Sequence, residues 1–421
     1  MHSQIQNVRN QKQDITQMNI STIHNCFGCG VCAIACSKKI IDIHLNKEGF
    51  YEPFLTDSER CTDCGLCVDV CSYSHDDITL KNPQITSYGA WSKDPQVRMK
   101  CSSGGVGFEI GRLAIAKGFK VCGVRYNPEK NQAEHYIASN INELIPSIGS
   151  KYIQSYTVDG FKAIDRKQNY LVTGTPCQID SFRRYIQKFH CEDNFILLDF
   201  FCHGVPSKLM WNKYVEMQEK KIGKLTYASW RNKFEYGWHD SWIMGLEGSK
   251  KHIDTVRWHN NYNKDIQERR THIISRMSQH DLFYKLFLGD YCLGKACYDK
   301  CRFKYDQSSA DIRIGDAWGS HYQNDEKGVS TAIAFSEKGH DLLKICQCVL
   351  ELLPFEVVAE GQMKECPQRK PTTRKIMRAL MQESTTIEDL DLILKRFSTK
   401  KKLINKVMHP MQALSWILKR L

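Results

Sequence analysis

Eight of the chain's nineteen cysteines fall in two short runs, CFGCGVCAIAC at 26–36 and CTDCGLCVDVC at 61–71, which share the spacing C-x2-C-x2-C-x3-C. Thiols this dense can serve as disulfides or as soft metal ligands. Disulfides belong to oxidising compartments, whereas the cytoplasm keeps thiols reduced. The first 22 residues are polar, rich in Gln and Asn, and lack the apolar core of a signal peptide, so a cytoplasmic chain with metal-bound thiolates is expected. A closed zinc site takes two C-x2-C pairs into one tetrahedron. It has no use for a third cysteine two residues further on, repeated in tandem. An iron–sulfur cube does, because a tight loop brings three thiolates to three of its corners. Gly28, Gly30 and Gly65 suit a loop that must bend closely around sulfide.

Both runs resemble those of two-cluster bacterial ferredoxins, in which the fourth cysteine of each run crosses to the other cube. The resemblance implies one 4Fe–4S cluster on Cys26, Cys29, Cys32 and Cys71, and a second on Cys61, Cys64, Cys67 and Cys36. The proline that usually follows the fourth cysteine is Ser37 in one run and Ser72 in the other, a change that removes no ligand. Between the runs, IIDIHLNKEGFYEP (40–53) reads as strand, glycine turn and strand. Residues 23–76 are therefore expected to form a small α+β ferredoxin-like module. The polar stretch after Cys71 reads as a linker, and a new domain should begin near Ile85.

Beyond the linker the pattern changes to strands alternating with helices. SSGGVGFEIGRLAIAKG (102–118) is a glycine-rich turn entering a helix, and FKVCGVRY follows as a strand. NYLVTGTPCQIDSFRRYIQ reads as strand, turn at Gly174–Pro176, then a helix with Ile179, Phe182 and Ile186 on one face. NFILLDFFCHGVPSKLMWNKY repeats that order. Apolar strands followed by helices imply an α/β sheet covered on its faces, with ligands beyond the carboxyl ends of its strands. Cys177 and Cys202 both fall at such ends and are expected to be neighbours. CLGKACYDKC adds Cys292, Cys297 and Cys301 ahead of the strand ADIRIGDAW.

SSGGV, GSKYIQS (149–155), GTPCQI (174–179), FFCHGVPS (200–207) and ADIRIGDAWG (310–319) occur in one order, and together they resemble the beta subunit of coenzyme F-420 hydrogenases and dehydrogenases. The resemblance runs from about 85 to 370. Such a domain behind a ferredoxin module is similar to F-420H2-oxidising subunits of archaeal respiratory complexes, and to bacterial relatives encoded among polysaccharide-synthesis genes. GFYEP and WRNKFEYGW (230–238) lean towards the bacterial branch. The resemblance implies an FAD contacted by Ser103, Gly104, Gly105, Val106, Lys151, Tyr152 and Gln154, and also bound by Gly174, Thr175 and Pro176. It also implies a third 4Fe–4S cluster on Cys177, Cys202, Cys297 and Cys301. The last pair is spaced C-x3-C where the family has C-x2-C, which leaves Cys292 as a substitute for Cys301. Cys101, Cys122, Cys191, Cys346, Cys348 and Cys366 read as core or surface thiols. Asp316 and Trp318 either line a substrate pocket or pack on the sheet, and His203 either caps a turn or shuttles a proton.

The chain's net charge of +12 is concentrated at one end. From Thr372 to Leu421 there are eleven Lys or Arg against four Asp or Glu, so the rest carries only +5 and shows no broad face for nucleic acid. No run of eighteen apolar residues exists to span a membrane. STTIEDLDLILKRFS is expected to open a helix with a capping box of Thr385 and Glu388. The basic segment after it reads equally as a patch for anionic lipid or a partner, and as a helix packed on the body.

The expected architecture is thus a tail at 1–22 taken as disordered, an α+β ferredoxin-like module at 23–76, a larger α/β flavin-binding domain at 85–370 and a basic helical tail at 372–421. The expected function is that of an iron–sulfur flavoprotein oxidoreductase. It would pass electrons between the clusters and an FAD that exchanges hydride with a small-molecule substrate, with a ferredoxin or a dehydrogenase subunit as redox partner. The alternative is a non-catalytic electron-transfer subunit of a larger complex.

Overall fold

The computed structural model describes residues 19–81, 83–250, 256–259, 268–271 and 273–408. Most of the expected N-terminal tail and the last residues of the basic tail lie outside these. Residues 19–22 do not behave as a disordered tail. Ile20 is buried in a short 3-10 turn, and Asn19 donates to the Asp63 carboxylate at 2.6 Å.

The module is a pseudo-repeat. Each cysteine loop ends in a left-handed glycine, Gly30 or Gly65, that opens a short helix, Val31–Ala35 or Leu66–Asp69. Between them β1 (Ile41–Leu45) and β2 (Tyr51–Leu55) pair antiparallel, as expected of 40–53. The Asn46 side-chain carbonyl closes the turn by accepting from the Glu48 and Phe50 amides. Ile41, Ile43 and Tyr51 then pack on Cys32 and Cys67.

The larger domain begins with β3 (Thr86–Ser92), β4 (Lys120–Asn127), β5 (Gln132–Ala138), β6 (Ser155–Tyr156), β7 (Tyr170–Thr173) and β8 (Phe195–Phe200). β9 (Leu225–Ser229), β10 (Ile243–Gly248), β11 (Val256–His259), β12 (Glu268–Thr271) and β13 (Ile273–Arg276) form smaller ladders, and β14 (Ile312–Asp316), β15 (Ser330–Ala334) and β16 (Cys348–Leu352) return to the main sheet. Among the described residues that sheet has nine strands in the order β16-β3-β15-β14-β8-β7-β4-β5-β6. β14, β8, β7 and β4 run parallel, while β4–β5 and the β14-β15-β3-β16 flank are antiparallel. The sheet is therefore mixed. Antiparallel neighbours need only a short turn, as between β4 and β5, whereas parallel ones need a crossover.

The crossover that positions the site is the helix Pro176–Lys188. Its start carries Pro176 at the first turn and a capping box between Thr175 and Gln178. Ile179, Phe182 and Ile186 are fully buried on one face. They pack among Val172 and Leu197 of the sheet and Cys29, Val31 and Val70 of the module. A buried phenylalanine contributes roughly 1.5–3 kcal/mol, so Phe182 helps hold sheet, helix and module together. Across the sheet, Arg313 of β14 sets two 2.7 Å bonds on Asp199 of β8, both side chains fully buried.

The described part of the C-terminal tail packs on the body. Ile376, Leu380, Ile387, Leu390 and Leu394 join the core around Trp211 and Phe283. The helix Ile387–Met408 opens one residue later than the sequence suggested. Asp389 N donates to Thr386 Oγ1 at 3.2 Å and Thr386 N to Asp389 Oδ2 at 2.9 Å, so Thr386 and Asp389 form the reciprocal cap rather than Thr385 and Glu388. No described helix is long and apolar enough to cross a membrane.

Candidate functional site

The two cysteine runs are interleaved by the fold. One cavity is lined by Cys26, Cys29, Cys32 and Cys71, with Phe27, Ile43 and Tyr73 closing it. Cys71 comes from the second run and the other three from the first. Burial pushes the Cys26 thiol up, and Cys71 and Cys29 push it further. Cys29 is raised to about 11, first by burial and then by Cys71. Thiolates crowded in so apolar a place are stable only beside positive charge, which cluster iron supplies. On the other side of the module, Cys67 is raised by burial and then by Cys64 and Cys36. Cys61 lies beside Asn19 and Asp63. Among the described residues no three His, Cys, Asp or Glu side chains are placed to close on a single ion. Thiolates serving separate corners of a cube need not do so, unlike the ligands of a zinc tetrahedron.

A third set gathers where β7 and β8 end. Cys177 is raised by burial and next by Cys202, with Cys297 and Cys301 also acting on it. Cys202 and Cys301 likewise act on Cys297. The four cysteines taken from the family pattern are therefore brought together from three segments. Cys292 is not among them: it is fully buried, with its thiol towards the Leu286 carbonyl at 3.8 Å. Cys366, read from sequence as a core or surface thiol, instead adjoins the set. It donates to the Cys301 carbonyl at 2.7 Å, and its hydrogen bond to the Cys301 thiol pulls that group down. The Lys304 ammonium adds to the lowering and donates to the Cys202 and His203 carbonyls at 2.5 and 3.0 Å.

The first and third sets touch through one layer of residues. Ser72, next to Cys71, donates its hydroxyl to the Cys177 carbonyl at 3.0 Å. The Ser72 amide donates to the Ser181 hydroxyl at 2.9 Å, and that hydroxyl lies 3.3 Å from the Cys29 sulfur. Phe27 and Phe303 pack edge to face at 5.9 Å in an apolar cluster that includes Cys177 and Cys301. Ser72, the departure from the ferredoxin proline, is thus a bridging residue.

The flavin-contact expectations divide. Gly105, with φ +87°, opens the helix Val106–Ala116, which has no side-chain cap. A Cβ on Gly104 would stand 2.2 Å from the Ala90 carbonyl, and its amide already donates to Ser330 Oγ at 2.9 Å. Gly104 is required by the chain's own packing, whatever lies outside. The Lys151 ammonium donates to the Pro146, Ser147 and Ile148 carbonyls, which uses all three of its protons. Gln154 accepts from the Tyr51 amide at 3.0 Å and donates to the Phe27 carbonyl at 3.2 Å, which ties the module to the sheet. Gly174, Thr175 and Pro176 shape the start of the helix carrying Cys177. Ser102, Ser103, Gly107 and Tyr152 stay partly open. Lys233, Glu109, Lys151 and Lys100 all act on the adjacent Cys101, which burial raises to about 12, while burial lowers Lys151 and Lys233 to about 7. The free main-chain amides of an uncapped helix start fit a diphosphate.

Two residues beside this turn escaped the sequence reading. Arg231, fully buried, holds both oxygens of Asp316 at 3.0 and 3.2 Å, between the rings of Trp242 and Trp318. Trp238 Nε1 donates to Asp316 at 2.9 Å, and its ring stacks on Trp318 at 5.1 Å. Both lie in WRNKFEYGW, whose clustered Arg and Trp were the available signal. His203 bonds Asp290 at 2.8 Å and packs on Phe287, a structural placement.

The fold and these cysteine sets define an iron–sulfur protein in which a dicluster module docks on a mixed α/β domain. Residues 25–74 match the 4Fe-4S dicluster domain, and residues 167–356 match the family described as the C terminus of the coenzyme F420 hydrogenase/dehydrogenase beta subunit. The two matches fall in the order that the resemblance implied, a 4Fe-4S dicluster region followed by a region similar to the C terminus of those beta subunits. A chain of the F420-reducing [NiFe] hydrogenase complex from Methanosarcina barkeri, solved as a xenon derivative, matches with 17% identity over 76% of this chain and 94% of its own, at a TM-score of 0.39. No curated protein matches the sequence.

Proposed function

We propose that this chain is an oxidoreductase that relays single electrons from the outer cysteine set, through the inner set, to the third set and on to a flavin at the SSGG turn. The observation that carries the reading is the Ser72 bridge. The residue after Cys71 bonds the carbonyl of Cys177, so two cluster-ligand sets share one hydrogen bond and one apolar layer. Cys26, Cys29, Cys32 and Cys71 would hold the inner 4Fe–4S cluster, Cys36, Cys61, Cys64 and Cys67 the outer one, and Cys177, Cys202, Cys297 and Cys301 the third. A flavin would be held at Ser102, Ser103 and Gly107, where the start of the helix Val106–Ala116 presents its main-chain amides. When bound, it couples one-electron steps to hydride exchange. Arg231 and Asp316 would then orient the substrate side, the arginine held flat between two indoles. Electrons would reach the outer set from a ferredoxin or a partner subunit.

Anaerobically purified full-length protein should carry about twelve iron and about twelve sulfide, four of each per cube, together with one flavin. Cys177→Ser should remove about four irons and leave the module's eight. It should also leave the flavin reducible by a chemical hydride donor yet unable to exchange electrons with the module. Two zinc ions without sulfide would overturn the cluster reading. Full iron in Cys177→Ser would overturn the third set, and protein with clusters but no flavin would leave the chain an electron carrier for a partner.

A further inference from the structure

A 4Fe–4S cube takes four cysteine ligands, and the third site gathers five cysteines. Cys301 acts on Cys177, Cys202 and Cys297 where β7 and β8 end. Cys366 is the fifth, brought in from 65 positions beyond Cys301. Its thiol donates to the Cys301 carbonyl at 2.7 Å, it shares a hydrogen bond with the Cys301 thiol, and Cys297 acts on it as well. Cys366, and not Cys292, is thus the additional sulfur beside this site.

Two features of the chain bear on the fourth corner. Cys301 lies past the end of the helix Lys295–Asp299, which carries Cys297, so that helix does not fix its position. Cys366 lies between the helices Phe355–Val358 and Thr373–Leu380, in a stretch that joins no helix or strand. Loop backbone of this kind shifts more readily than an element held by a hydrogen-bond ladder. The Lys304 ammonium acts on both thiols, so either sulfur meets the same positive charge as a thiolate.

We propose that Cys366 is an alternative ligand of the third cluster, sharing with Cys301 the one corner that Cys177, Cys202 and Cys297 leave. This rests on the third cluster of the proposed relay. Cys301, which acts on all three of the others, is the resident ligand, and Cys366 takes its place when Cys301 gives up its iron. In that exchange the bond from iron to the Cys301 sulfur breaks and one to the Cys366 sulfur forms. The Cys366 thiol proton passes to the departing Cys301 thiolate along the hydrogen bond between them, so charge and electron count are unchanged. The third cluster therefore tolerates loss of one ligand, whereas the two module clusters, with four cysteines each, do not.

The test is the iron and sulfide content of anaerobically purified full-length variants, with alanine chosen because a serine oxygen can itself bind iron. Cys301→Ala and Cys366→Ala should each keep about twelve irons, whereas the double variant should fall to about eight, as should Cys177→Ala. Should Cys301→Ala fail to fold, shown by loss of the module's iron as well, Cys301→Ser with and without Cys366→Ala carries the same comparison, with iron lost only in the double variant. A fall to about eight irons in either single variant at 301 or 366 would overturn the proposal, as would about twelve in the double variant. About twelve irons in Cys177→Ala would remove the third set itself, and the proposal with it.

Discussion

The loop at 26–36 is packed against the large domain, whereas the run at 61–71, with the same cysteine spacing, buries only its last two cysteines and leaves its first two towards the surface. Cys29 and Cys32 are buried, the Cys29 carbonyl accepts from Thr157, and Phe27 reaches the third cysteine set. In the other loop Cys64 is exposed and Cys61 half-buried. Identical spacing therefore serves two environments. Hydrogen bonds to sulfur and solvent exposure are what tune cluster potentials. In the proposed relay, the difference would place the outer set at exchange with a partner and the inner set at exchange within the chain.

The largest test of this contrast removes one ligand from each side. Cys29→Ser and Cys64→Ser should each lose about four irons. Only Cys29→Ser should also stop electron exchange between the surviving module cluster and the third set, followed by electron paramagnetic resonance. Loss of that exchange in Cys64→Ser would break the assignment. A milder test uses air or an iron chelator, under which the outer cluster should decay several-fold faster than the inner one. Equal rates would show that burial does not separate them.

Docking itself can be weakened. Gln154→Leu removes two bonds between module and sheet and should lower stability by about 1–3 kcal/mol, read as a lower thermal midpoint with full iron content. An unchanged midpoint would mean that the remaining contacts between module and large domain carry the interface. The smallest effect expected is that of Ser181→Ala. Losing a hydrogen bond of about 1 kcal/mol to the Cys29 sulfur should lower the inner potential by about 40 mV for one electron, with the outer potential unmoved. A shift of the outer potential instead would reverse the roles of the two sets.

Glycine and lysine positions show what a motif leaves unsaid. Gly104, Lys151 and Gln154 match a family pattern, yet their space or polar atoms are used within the chain. A motif records that a residue type is needed and not what it touches. Arg231 shows the converse, a residue in a quoted stretch whose partner Asp316 lies 85 positions away.

Local spacing was enough for the eight module cysteines, the 40–53 hairpin and the strand-to-helix units ending at Cys177 and Cys202. Each depends on neighbours in the chain, through the turn geometry of a C-x2-C loop or the period of an apolar face. The crossing of Cys71 to the first loop followed from the ferredoxin resemblance and is seen in the shared cavity. Only the tertiary structure decided that Cys366 meets Cys301 while Cys292 turns away, that the sheet is mixed, and that the buried Lys208 ammonium is left without a partner. Those are contacts between segments far apart in sequence, made by whichever side chains the packed sheet leaves facing one another, and no local pattern encodes them.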